Sequence, residues 1–152
     1  MLQAYDISEI IDSSVKDISK RVAKIDVFVE KGEAFGNFEK PYTIFSTTSG
    51  DYQMMLSFCT DKSVLRAIAE NMTHGRQPLD EEEVLVYTSE YFNILCGHVI
   101  SAINKEFYLK TYFSVPTVIK GDGICCPDSH FVQYQKLYNY YYGSAKIEAL
   151  QL

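Results

Sequence analysis

A chain of 152 residues with 47% apolar residues and a formal net charge of −6 has room for one core and the composition of an ordinary soluble globular protein. The negative balance excludes a general nucleic-acid binder, which needs clustered Lys and Arg to neutralise phosphates. No apolar run approaches the ~20 residues that span a bilayer. The opening Met1-Leu2-Gln3-Ala4-Tyr5-Asp6 lacks the basic and apolar regions of a signal peptide. The expectation is a single cytoplasmic domain over residues 1–152, with no membrane and no nucleic-acid partner.

The first predicted element is a helix from about Ser8 to Ile25. Its stripe of Ile11, Val15, Ile18, Val22 and Ile25 alternates spacings of four and three, and Asp6 or Ser8 is the expected N-cap. Val27-Phe28-Val29 reads as a strand, and Lys31–Lys40 as a loop or ragged strand. Tyr42–Thr48 and Tyr52–Phe58 read as a hairpin turning at Gly50-Asp51. Met54-Met55 is expected in the core. Thr60 or Asp61 caps a helix carrying Val64, Leu65, Ile68, Ala69 and Met72. After a loop over Thr73–Pro78, Asp80 opens a long helix with three Glu in its first turn, where the helix dipole favours them. That helix is predicted to reach about Lys105. Phe107–Val118 is strand-like and broken by Pro116, Gly121-Asp122-Gly123 is a turn, and Phe131–Tyr142 with Ala145–Leu152 forms a second hairpin.

The four cysteines fit a reducing compartment. Cys59 and Cys96 sit in apolar patterns and read as buried small hydrophobes. Cys125 and Cys126 read as a reduced vicinal pair before Pro127. There is no CxxC and no zinc-type spacing around His130, so no metal site is expected.

The chain also repeats itself at an offset of 81 positions. Glu9-Ile10-Ile11-Asp12 falls on Glu90-Tyr91-Phe92-Asn93, and Ile11, Val15, Ile18 and Val22 fall on Phe92, Cys96, Val99 and Ile103. Each helix is followed by a strand and later by a hairpin. A duplication with pseudo-two-fold packing of the halves follows.

Chemistry concentrates on the long helix. At about 100° per residue, Leu85, Phe92, Cys96, Val99 and Ile103 gather on one side and must face the core. Glu90, Asn93, Gly97, Ser101 and Asn104 gather on the other. Asn is a poor helix-interior residue, and Gly costs about 1 kcal/mol there relative to Ala. Gly97 leaves a shallow spot for another backbone to approach. A carboxamide both donates to and accepts from water, so it orients a nucleophile without deprotonating it. A carboxylate beside it suits a partner's Lys. The chain has no phosphate-cradling Gly loop, so a water-orienting Asn needs a partner that brings both metal and phosphate.

These residues resemble the CheC/CheX/FliY family of chemotaxis phosphatases, and the CheX type within it. The resemblance rests on Glu90-Tyr91-Phe92-Asn93 with Gly97, the ExxN motif followed by Gly. It is extended by Ser114-Val115-Pro116 and Gly121, like the family's S-x-P-x-x-x-x-G segment, and by the order of hairpin, short helix, loop and motif helix. It implies an α+β fold of CheC-like type: a duplicated α/β unit, long helices on a mainly antiparallel sheet, and a pseudo-two-fold internal repeat. It implies a phosphatase for a phosphorylated CheY-like response regulator. Asn93 would orient the attacking water and Glu90 would pair with the regulator's active-site Lys. Gly97, Ser101 and Asn104 would bind the partner. No cofactor of the chain's own is implied, Mg²⁺ being supplied by the regulator, and CheX-type proteins imply a homodimer.

The family's CheC type carries two working motifs. In this chain's first copy Asp12 replaces the Asn and Lys16 stands where Gly97 does. An ionised Asp cannot donate to water and would repel an acyl phosphate, so the first copy reads as structural. Of the scattered histidines, His98 lies about 80° around the helix from Glu90 and reads as a surface or half-buried residue, like His74 and His130. Tyr138, Tyr140, Tyr141 and Tyr142 read equally as a two-faced strand or as a strand in a subunit interface. Besides the enzyme, a non-catalytic adaptor for a response regulator or flagellar-switch component, and a structural dimer with an accidental ExxN, remain as readings.

Overall fold

The computed structural model describes residues 5–31, 38–76, 79–121 and 131–152. The vicinal Cys125 and Cys126, His130, Asp122 and Gly123 of the second turn, and residues 32–37 and 77–78 of the two predicted loops lie outside them.

Helix α1 (Ser8–Arg21) buries Ile11, Val15 and Ile18 as the periodicity requires. Its N-cap is Ile7 rather than Asp6 or Ser8; Asp6 instead accepts a hydrogen bond from the Ser8 N–H at 3.2 Å. The helix stops before the predicted Ile25 because Lys24 turns left-handed at φ 57° and the Ile25 N–H returns to the Ser19 carbonyl at 3.1 Å. That closure usually employs Gly, and a Lys in its place leaves no signal in the sequence.

Short β1 (Phe28–Val29) leads to the hairpin of β2 (Tyr42–Gly50) and β3 (Met54–Thr60). Gly50 is required at its turn: it sits at φ +105°, and a Cβ there would meet the Lys110 carbonyl oxygen at 2.3 Å. Helix α2 (Lys62–Met72) follows, with Asp61 in the N-cap position. Helix α3 (Glu81–Phe107) starts at a capping box in which Asp80 accepts from the Glu83 N–H at 2.8 Å. It ends at the left-handed Tyr108. The strand predicted over 107–118 is two strands, β4 (Thr111–Phe113) and β5 (Thr117–Lys120), separated by Ser114-Val115-Pro116. The second hairpin, β6 (Phe131–Asn139) and β7 (Ser144–Gln151), turns through Tyr140–Gly143. Tyr140, Tyr141 and Tyr142 therefore lie beyond the strand in which they were expected.

All pairings are antiparallel, in the order β1-β6-β7-β3-β2-β4, with β5 also on β2. The order exposes the duplication. From the central β7–β3 pair outward, each half's hairpin is flanked by a short strand of the other half: β1 on β6, and β4 and β5 on β2. Exchanging the halves maps the sheet onto itself, and α2 is an insertion between them. The core lies where α1, α2 and α3 meet the sheet, with Ile11, Val15, Leu65, Phe92 and Val99 against Ile44, Leu56, Phe58 and Ile147, all buried. Cys59, Cys96, Met54 and Met55 are buried as expected. No helix of the described residues is long and apolar enough to cross a membrane.

Candidate functional site

The rotation of α3 is fixed from inside. Tyr91, Phe92 and Leu95 are wholly buried, and Phe58 packs on both Tyr91 and Phe92, with ring centroids 6.0 and 6.5 Å apart. The Tyr91 hydroxyl lies 2.7 Å from Ser19 Oγ of α1 and 2.8 Å from the Tyr140 hydroxyl. Burial pushes the Tyr91 phenol up to about 12, against weaker opposing hydrogen bonds from Ser19 and Tyr140, so these hydroxyls stay protonated. With Tyr91 and Phe92 turned inward, Glu90 and Asn93 turn out to solvent.

The two share a groove of about 430 Å³ on the protein surface. One wall is the first half of α3, including Glu82, Val86 and Ser89; the other is Val115-Pro116. Ser114 fastens that second wall to β2: its N–H donates to the Thr47 carbonyl at 2.8 Å, and its Oγ accepts from the Thr47 N–H at 3.2 Å. Pro116 fixes the backbone beyond. The Ser-x-Pro segment thus stands as the far side of the ExxN groove. Sequence periodicity missed Val86, Ser89 and Val115. Only Val86, an apolar residue interrupting a polar helical face, gave a local signal.

The remaining predicted site residues separate. Gly97 and Ser101 are exposed further along the same helix, outside the groove. A Cβ on Gly97 would meet nothing within 4 Å, so no intramolecular contact requires the glycine. Asn104 is a clip: its Nδ2 donates to the Thr111 carbonyl at 2.9 Å and its Oδ1 accepts from the Thr111 N–H at 3.1 Å. Its carboxamide holds β4 rather than facing a partner, a use that helical spacing alone does not reveal. His98 joins the two motif helices, its Nδ1 2.9 Å from Ser14 Oγ and its Nε2 3.5 Å from Asp17. The acidic run does more than start a helix. Glu81 accepts from the Tyr42 hydroxyl and lies 3.5 Å from Lys120 and 3.9 Å from Lys62. The Tyr42 bond, then the two lysines, hold its carboxyl below the ordinary range.

The first copy is built differently. Asp12 accepts from the Tyr138 hydroxyl at 2.7 Å and from Lys16 at 2.8 Å. Partial burial opposes its ionisation, but the Lys16 and Tyr138 bonds and the charges of Lys16 and Lys136 together outweigh it, and the carboxyl sits below its ordinary value. Tyr138 is buried and also bonds Tyr134, while Tyr141 and Tyr142 stand exposed in the turn. No group of three His, Cys, Asp or Glu among the described residues is placed to hold a metal ion.

The model of the family described as chemotaxis phosphatase CheX matches residues 42–135. Among solved structures, CheX from Desulfovibrio desulfuricans superposes with a TM-score of 0.79 at 17% identity, covering 97% of this chain and 100% of that one. The CheX–CheY–BeF₃–Mg²⁺ complex from Borrelia burgdorferi matches at 0.72 and 11% identity, over 98% of each chain. FliY from Thermotoga maritima matches at 0.64 and 15% identity, over 99% of this chain and 92% of that one. No protein of curated function matches the chain by sequence.

Proposed function

This chain belongs to the chemotaxis phosphatase CheX family, and we propose that it hydrolyses the aspartyl phosphate of a CheY-like response regulator at the Glu90/Asn93 face. The observation that carries the reading is the groove itself. A carboxylate and a carboxamide one helical turn apart lie open to solvent on a helix whose intervening residues are locked into the core. A CheX–CheY complex in a protein of the same fold supports a response regulator as the occupant.

Asn93 enters the regulator's phosphorylation site. Its carboxamide oxygen accepts a hydrogen bond from a water and its N–H₂ donates to the water or the phosphoryl group, which aims the water in line with the P–O bond to the aspartate. Glu90 pairs with the regulator's lysine and fixes the docking register. The water oxygen bonds to phosphorus as the bond to the aspartyl oxygen breaks. Inorganic phosphate leaves and the regulator's carboxylate is restored. Mg²⁺ comes with the regulator and neutralises charge there. The same proposal places the chain in the cytoplasm as a homodimer, which light scattering across a concentration series tests.

Phosphate release from the phosphorylated regulators of the same organism tests the activity. Asn93→Ala is expected to lower kcat about a hundredfold or more, with the thermal midpoint and regulator binding retained. Binding of the regulator without faster decay would instead assign the chain to the adaptor class.

A further inference from the structure

On the 81-residue offset Ser8 of α1 falls on Ser89 of α3, so α3 carries two additional N-terminal turns, Glu81–Thr88, that α1 lacks. Those turns bring Glu82 and Val86 alongside Glu90 and Asn93, opposite Val115 and Pro116. Two of these wall residues are apolar and open to solvent: Val86 is 60% and Val115 83% exposed. The loop that carries Val115 is not free to tuck it away, because Ser114 is bonded to Thr47 by both its N–H and its hydroxyl. Glu82 and Glu90 flank Val86 one turn to either side on the helix, and neither forms an ion pair among the described residues.

We propose that Val86 and Val115 form an apolar clip that grips the response regulator on either side of the groove. The clip sets affinity and leaves turnover to Glu90 and Asn93; it rests on the phosphatase reading above. The pattern specifies the occupant's chemistry. Val86 and Glu90 are one turn apart, about 6 Å along the helix. The docked surface therefore presents an apolar side chain and a lysine at that spacing, the first between the valines and the second against Glu90. Two unpaired carboxylates beside the clip repel an acidic peptide or a nucleic acid. Covering the two exposed valines removes their apolar surface from water, which supplies affinity, while the carboxylate beside them fixes the register.

The experiment is a calorimetric titration of the regulator in its beryllofluoride form, alongside steady-state phosphate release, with Val86→Ser, Val115→Ser and the double variant. Each single substitution is expected to weaken binding about fivefold to tenfold and the double about thirtyfold or more. KM should rise in step, kcat should stay within twofold, and the unfolding midpoint should not move. Asn93→Ala is expected to behave inversely, with binding kept and kcat lost. If the double variant binds within twofold of the wild type while wild-type turnover is intact, the clip is wrong and the phosphatase reading stands. If the wild type neither binds nor dephosphorylates any regulator of its organism, the reading fails and the clip falls with it.

Discussion

The two halves of this molecule place the same helical position in opposite service. In the first half Asp12 is a brace, joined to Tyr138 of β6 and to Lys16 one turn on. In the second half Asn93 is exposed and lines a groove. Lys16 covers the surface where, in α3, Gly97 leaves it bare, a Cβ there meeting nothing within 4 Å among the described residues beyond its own helix turn. Among the described residues α1 begins at Ser8, without the two N-terminal turns that give α3 its groove wall. A duplicated scaffold can thus reserve one helix face for holding the sheet and offer its twin to a partner. Three changes are involved: the residue that ends the motif, the residue one turn later, and the length of the helix before it.

Writing the first copy's residues into the second is the most direct way to break this contrast. Asn93→Asp is expected to have the largest effect. An ionised carboxylate accepts hydrogen bonds but donates none, and it repels the phosphoryl oxygens. Phosphate release should fall by about 10²- to 10³-fold, more than in Asn93→Ala if charge repulsion adds to the lost water contact. Equal activity in Asn93→Asp and wild type would remove Asn93 from the chemistry. Gly97→Lys comes next. The flexible cation would occupy the bare spot and weaken regulator binding about tenfold, read as a rise in KM. Gly97→Ala separates docking from stability, since a Cβ there meets nothing. It should raise stability by about 1 kcal/mol, about 2–4 °C in Tm, and leave phosphate release nearly unchanged.

What the sequence disclosed follows from which interactions are local. The stripe of Phe92, Cys96, Val99 and Ile103 set the inward face of α3, and with it the outward aim of Glu90 and Asn93, because helical geometry alone decides that. The start of α3 at Asp80, with three Glu in its first turn, was legible for the same reason, although the reciprocal Asp80–Glu83 box emerged only in the structure. The far wall of the groove was not, since Val115 is brought there by hydrogen bonds from Ser114 to Thr47, a strand away in space and distant in sequence. Asn104 sits at the spacing of a docking residue, yet its carboxamide is taken by the backbone of Thr111 beyond the helix end. The end of α1 was hidden because Lys24, rather than a glycine, adopts the left-handed turn. Tyr138 and Tyr140 are used inside the fold, bonding α1 and α3, which a run of tyrosines on a strand cannot distinguish from an interface.

The smallest expected effect is the most discriminating for the comparison. Asp12→Asn restores a complete ExxN motif in the first half. If the motif alone made a site, phosphate release per chain would rise toward double. No gain is expected, because position 12 remains bonded to Tyr138, Lys16 covers its neighbour, and the cavity beside Glu9, walled by Glu106 and Phe107, does not include position 12. The change should appear only in stability. Asp12 ionises below its ordinary range, so its contribution is present above the unfolded carboxyl pKa and is lost as pH falls through the lower folded value. Asp12→Asn should therefore cost about 0.5–1 kcal/mol near neutral pH, a modest amount because the Lys16 pair is half exposed. The deficit should shrink toward zero below about pH 4. Urea unfolding at both pH values measures the stability difference, and phosphate release at neutral pH measures the absent second site.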